Sequence, residues 1–107
     1  MKERNIMTTK KKISVECKIQ LPNGREMDML LFNETPKMIR CNLIDPSGCD
    51  ILYPLARAGV EVVFILGSRA EKMTVTNFVI HITPIDGEFV VTNCGIDLRI
   101  PIVVVPV

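Results

Sequence analysis

Turn-forming residues recur along this chain at short intervals. Pro22-Asn23-Gly24, Asn33-Glu34-Thr35-Pro36, Asp45-Pro46-Ser47-Gly48, Asp86-Gly87 and Asn93-Cys94-Gly95 cut it into pieces of about ten residues. No piece carries a helical period over more than two turns. Several carry a period of two, which is the mark of a half-buried strand. Short strands at this spacing fold as a sandwich or a barrel, so a helix bundle and a doubly wound sheet are excluded.

The first strand is the clearest. From Lys12, residues Ile13, Val15, Cys17, Ile19 and Leu21 alternate with Ser14, Glu16, Lys18 and Gln20. After Pro22-Asn23-Gly24, Arg25 to Phe32 returns with Met27, Met29 and Leu31 on one face. Val60 to Leu66 is a nearly continuous apolar run, which suits a strand buried on both faces or in a barrel wall. Gly67 to Met73 reads as a polar loop. Thr74 to Thr83 reads as a strand that turns at Asp86-Gly87, a primed-turn signal. That turn sets Ile82 opposite Val91 and His81 opposite Thr92. The last segment, from Ile96, is apolar and interrupted by Pro101 and Pro106, which places it at a sheet edge or against a partner.

Lys37 to Tyr53 is expected to organise the fold as a hairpin. Pro46 cannot supply the positive φ of a primed turn. A type I turn with Asp45 at its first position and a left-handed Gly48 suits these residues better. The resulting register sets Leu43 opposite Ile51 and Cys41 opposite Tyr53. Arg40, Asn42 and Asp50 then form the wetter face.

At 107 residues the chain is one domain of common size, and 48% of it is hydrophobic. Val and Ile dominate that fraction, which favours strands. No apolar run is long enough for a transmembrane helix, and Met1 to Lys12 lacks the apolar core of a secretory signal. An intracellular protein is expected, cytoplasmic or nuclear. Residues 1–11 are expected to be a disordered basic arm and 12–107 a single β domain. The overall charge of +1 conceals a split. Lys2, Arg4, Lys10, Lys11 and Lys12 face only Glu3 in the arm, while the body is mildly acidic.

Cys17, Cys41, Cys49 and Cys94 form no C-x-x-C pair. They are expected to be buried, reduced thiols rather than metal ligands. His81 lies alone in a strand without an orienting partner. Ser14, Ser47 and Ser68 lack an elbow setting, and the glycines form no phosphate-binding loop. No enzyme, cofactor, metal or small-molecule substrate is expected.

Cys41-Asn42-Leu43-Ile44-Asp45-Pro46-Ser47-Gly48, then Ile51, then Gly59 leading into Val60-Glu61-Val62-Val63-Phe64-Ile65, resembles OB-fold domains of the replication protein A type over residues 38–82. The resemblance implies a small OB-like barrel with additional C-terminal strands. The alternative is a seven- or eight-stranded antiparallel β-sandwich or jelly roll. It also implies a single-stranded nucleic-acid face, nominating Arg40 and Asn42, with Arg69 and Lys72 in the following loop. Lys10, Lys11 and Lys12 could clamp phosphates from the arm. Only Pro54 to Gly59 link the proposed third and fourth strands, where that family has a helix. Aromatic residues, the usual stacking platforms, are few.

Two functions follow. One is an OB-like binding module associated with nucleic acid or a nucleic-acid-handling complex. The other is a structural coat, scaffold or adaptor subunit that meets a protein partner, or a second copy, through the apolar edge Ile100, Ile102, Val103, Val104 and Val105.

Overall fold

The computed structural model describes residues 14–101. Its elements run in order: β1 (Val15–Gln20), β2 (Glu26–Glu34), β3 (Met38–Leu43), a 3-10 turn (Pro46–Gly48), α1 (Cys49–Ala58), β4 (Glu61–Leu66), β5 (Arg69–Ile85) and β6 (Glu88–Arg99). The strands pair antiparallel in the order β1-β2-β3-β6-β5-β4, and β4 returns to β1, so the sheet closes into a barrel. The protein is therefore all-β, with one sheet closed on itself. An OB barrel has five strands; here six are present among the described residues.

The alternation of β1 and β2 is as the sequence implies. Cys17, Ile19, Met27 and Met29 point into the barrel, and Lys18 faces Asp28 outside it. The Pro22-Asn23-Gly24 turn forms with Gly24 at φ +89°. Asn23 Oδ1 accepts from the Arg25 backbone N–H at 2.9 Å. Phe64 of β4 fills the barrel centre with no exposure, beside Ile39, Cys41, Ile96 and Leu98.

The expected hairpin at Lys37–Tyr53 does not form. Asp45 does turn the chain, accepting from the Ser47 N–H at 3.0 Å, and Pro46 opens the 3-10 turn. Gly48, however, stays right-handed at φ −77° and ψ −3°. With no left-handed residue to reverse it, the backbone runs on into α1. A Cβ at Gly48 would meet only the terminal methyl of Met27, at 2.7 Å, and the Leu43 side chain. Leu43 pairs with Met29, and Cys41 lies between Leu31 and Ile96.

Helix α1 caps one end of the barrel. Leu52 is fully buried, and Ile51, Leu55 and Ala56 pack around it. Gly59, left-handed at φ +63°, ends the helix in a Schellman motif. Its N–H donates to Ala56 O at 3.2 Å, and that of Val60 to Leu55 O at 3.3 Å. Pro54 sits inside this helix on the solvent side, depriving the Asp50 carbonyl of its donor.

Other expectations also change. Gly67 to Met73 is not a loop, because Gly67-Ser68 is a two-residue turn between Leu66 and Arg69 with positive φ at Gly67 alone, the pattern of a II′ turn. Asn93-Cys94-Gly95 is strand interior, not a turn. Within the C-terminal segment Ile96–Arg99 is not an edge, since it pairs with β3 on one side and β5 on the other. Expected strands at 88–93 and beyond 96 thus merge into one, and six strands are present among the described residues. Ile100 follows β6 half-exposed. Ile102, Val103, Val104 and Val105, and the arm with Lys10, Lys11 and Lys12, lie outside the described residues.

The cysteines divide. Cys49, now the first residue of α1 rather than a strand residue, is disulfide-bonded to Cys94 of β6 with a Cα–Cα distance of 6.0 Å. Cys17 and Cys41 are free and buried, their sulfurs 3.9 Å apart. Contact with Cys17, together with burial, pushes the Cys41 thiol up, so it stays protonated.

Two outcomes test this account. Pro54→Ala restores the missing helix hydrogen bond and is expected to raise the unfolding free energy by up to about 3 kcal/mol in urea titration. The Cys49–Cys94 bond closes a sequence separation of 45. Cys94→Ala, or wild type in reductant, is therefore expected to lose about 4 kcal/mol on chain-entropy grounds.

Candidate interaction surface

β5 and β6 outrun the barrel. β5 pairs with β4 only from Arg69 to Thr74, and β6 with β3 only from Gly95 to Arg99. Beyond those limits the two strands pair with each other alone, as a ribbon ending at the type I′ turn Asp86-Gly87, where φ is +51° and +80°. Ile82 does face Val91. His81 faces Asn93 rather than Thr92, because a bulge between His81 and Ile82 leaves Thr92 unpaired. Thr92 Oγ1 instead donates to His81 O at 3.2 Å.

One face of the ribbon is apolar and uncovered. Ile80, Ile82, Phe89 and Val91 are 53%, 57%, 76% and 58% exposed. Pro84, opposite Phe89, extends the same row. At its root the row meets α1, where Tyr53 packs edge-on against Phe78 with ring centroids 5.1 Å apart. Cys49, Asp50 and Tyr53 of α1 line a hollow of about 260 Å³ there with Phe78, Ile80, Val91 and Cys94. Arg57 donates to Tyr53 Oη at 3.3 Å.

The outer face of the β3–β6–β5 seam is polar, and its groups are turned on each other. Asp97 is 2% exposed. Its carboxylate accepts from Arg40 Nε at 2.7 Å, Arg40 Nη2 at 3.1 Å and Asn77 Nδ2 at 3.1 Å. The Arg40 guanidinium holds that carboxyl below the usual range against the cost of burial, with Asn77 helping. One position along, His81 Nε2 donates to Asn42 Oδ1 at 2.9 Å across β6. Gly95 makes that reach possible, because a Cβ there would fall 2.3 Å from Asn42 Oδ1. Asn93 Nδ2 donates to Leu43 O at 2.9 Å.

The nominated cations are thus largely engaged. Arg40 and Asn42 do share a face, but both are committed to internal bonds. Arg69 lies on β5, not in a loop, and is paired with Glu34 at 3.0 Å and with Glu71. Lys72, on the same strand, is exposed. A groove of about 490 Å³ not foreseen from the sequence lies beside the seam. Lys37, Arg99, Thr74 and Thr76 line it with Pro36, Ile100 and Pro101. Lys37 and Arg99 have no carboxylate partner among the described residues.

Among the described residues no three His, Cys, Asp or Glu side chains cluster as metal ligands, and no helix is long and apolar enough to cross a membrane. No protein-family model, curated protein or solved structure matches this chain.

The ribbon residues were visible in the sequence as a hairpin. That no layer covers them was not, because alternation shows which face is apolar and not what packs on it.

Asp97 gives a pH test. Its folded pKa is depressed, so its contribution is complete above the ordinary carboxylate pKa of about 3.9 and is lost as pH falls through the lower folded value. Wild type is expected to lose stability in that acid window, and Asp97→Asn to show a flatter acid limb in urea titrations. At neutral pH, Arg40→Met is expected to cost about 2–3 kcal/mol. That is below the value for a fully buried pair, because the Arg40 side chain is 36% exposed.

Proposed function

We propose that this protein is a non-enzymatic β-barrel module that works by assembly with protein, as a scaffold or adaptor subunit. The barrel is the rigid body and the β5–β6 ribbon is the contact element. The observation that carries this reading is the row Ile80, Ile82, Phe89 and Val91, each more than half exposed on one face of a two-stranded ribbon. Contiguous apolar surface of this kind marks an interaction site. A two-stranded ribbon is also marginal in water without a further layer. This reading puts the contact surface at residues 80–91, whereas Ile102, Val103, Val104 and Val105 of the expected edge lie outside the described residues.

A second reading, association with single-stranded nucleic acid by an OB-like barrel, is favoured by one observation. Lys37 and Arg99 flank a groove that contains two threonine hydroxyls and no acid. Lys10, Lys11 and Lys12 would add phosphate contacts, with Lys72 exposed on the strand that carries Thr74 and Thr76, whereas Arg40 and Arg69 would contribute little while paired with carboxylates.

A photo-crosslinking residue in place of Phe89 is expected to capture protein in cells, and one in place of Lys72 is not. No adduct from position 89 would overturn the assembly reading. For the second reading, affinity for labelled single-stranded DNA or RNA is expected to fall steeply with salt and to weaken in Lys37→Gln/Arg99→Gln. Absence of binding at low salt rejects it.

A further inference from the structure

The ribbon's exposed face raises the question of its occupant. We infer that the occupant is a second copy of this chain, with the two ribbons stacked face to face and antiparallel across a two-fold axis. The inference rests on the assembly reading above and adds the partner and its orientation.

The area is sufficient. Tyr53, 46% exposed, together with Ile80, Ile82, Phe89 and Val91 at the exposures given and with Pro84, presents about 600 Å² per protomer. A pair would bury about 1,200 Å², the lower end of the range for specific, stable interfaces. A two-fold interface must also complement itself. The apolar row does so, since it carries no charge between Phe78 and Phe89 on this face, and its charges lie at the two ends. Asp86 occupies the tip, in the turn, while Glu88 pairs with Ile85 on the opposite face. Arg57 occupies the root, where Tyr53 is its hydrogen-bond partner and no carboxylate among the described residues pairs with it.

Orientation follows from the spacing of those ends. Phe78 to Asp86 spans eight residues, about 26 Å of strand. Antiparallel stacking lays the acidic tip of one ribbon over the root of the other, within reach of Arg57. Parallel stacking would bring the two acidic tips together. Asp50 also lines the root, so Asp86 must engage the Arg57 end of α1, away from its first turn. Edge-to-edge pairing is the poorer alternative, because Pro84 offers no backbone donor to a neighbouring strand.

The test is the mass of the full chain by sedimentation equilibrium up to millimolar concentration. A monomer–dimer equilibrium is expected, with the dimer at twice the 12.0 kDa chain mass. Phe89→Asp alters a residue 76% exposed and outside the barrel, so the fold survives, as circular dichroism can verify. It is expected to weaken dimerisation at least tenfold. Asp86→Lys and Arg57→Glu are each expected to weaken it, and their combination to restore it. Wild type that stays monomeric, or a dimer indifferent to Phe89→Asp, overturns the inference. Failure of the charge swap to rescue overturns the antiparallel arrangement. A monomer whose position 89 still crosslinks to a different protein removes the second copy as occupant and leaves the assembly reading standing.

Discussion

The barrel closes at a seam built around a buried charge. Two three-stranded meanders, β1-β2-β3 and β4-β5-β6, meet along β3 and β6 and again along β1 and β4. The second meeting rests on three residue pairs, Lys18–Ile65, Ile19–Phe64 and Gln20–Val63. The first runs from Met38–Arg99 to Asn42–Gly95 and carries Asp97. A carboxylate 2% exposed is tolerable only when its oxygens are filled. Arg40 fills them from β3 and Asn77 from β5, so one group ties three strands. Asn42 and His81 repeat the crossing over Gly95. These contacts keep the seam in register and occupy the polar groups that would otherwise face a ligand.

That occupation shapes what the surface can do. Arg40 and Asn42 belong to the fold more than to any partner. What remains available is the apolar ribbon and the Lys37–Arg99 groove. Helix α1 contributes to both structure and surface. Leu52 seals the barrel, while Tyr53 and Arg57 face the root of the ribbon. The Cys49–Cys94 bond joins that helix to β6 where the ribbon leaves the barrel.

The strand content was legible in the sequence wherever alternation was strict, as in Val15–Gln20 and Glu26–Leu31, and wherever a turn demanded special residues, as at Asp86-Gly87. Chemistry at the turn was also read correctly at Asp45-Pro46, yet the outcome hung on Gly48. A glycine can be left- or right-handed at little cost, so the residue alone does not decide between hairpin and helix. Pro54 then disguised α1, because proline in mid-segment argues against a helix that tertiary packing of Leu52 nonetheless enforces. Gly95 misled in the opposite sense. It looks like a turn residue but is a strand position kept bare for Asn42. The polar cluster joins residues as far apart as Arg40 and Asp97, and no local pattern reports such a pairing.

The same seam governs the order in which the chain can acquire its structure. β1, β2 and β3 are joined by short turns and can pair as soon as they are synthesised, and β4 to β6 likewise. The short β1–β4 meeting can form once β4 is made, but the longer one waits for β6, the last described strand, because β6 is the partner of β3, the holder of Asp97 and the carrier of Cys94. Pairings of such long range are slow to form. Until then Ile39 and Cys41 of β3 stand on an open sheet edge beside an unclosed core. The nascent protein is thus at its most vulnerable to misassociation while its last strand is still being made.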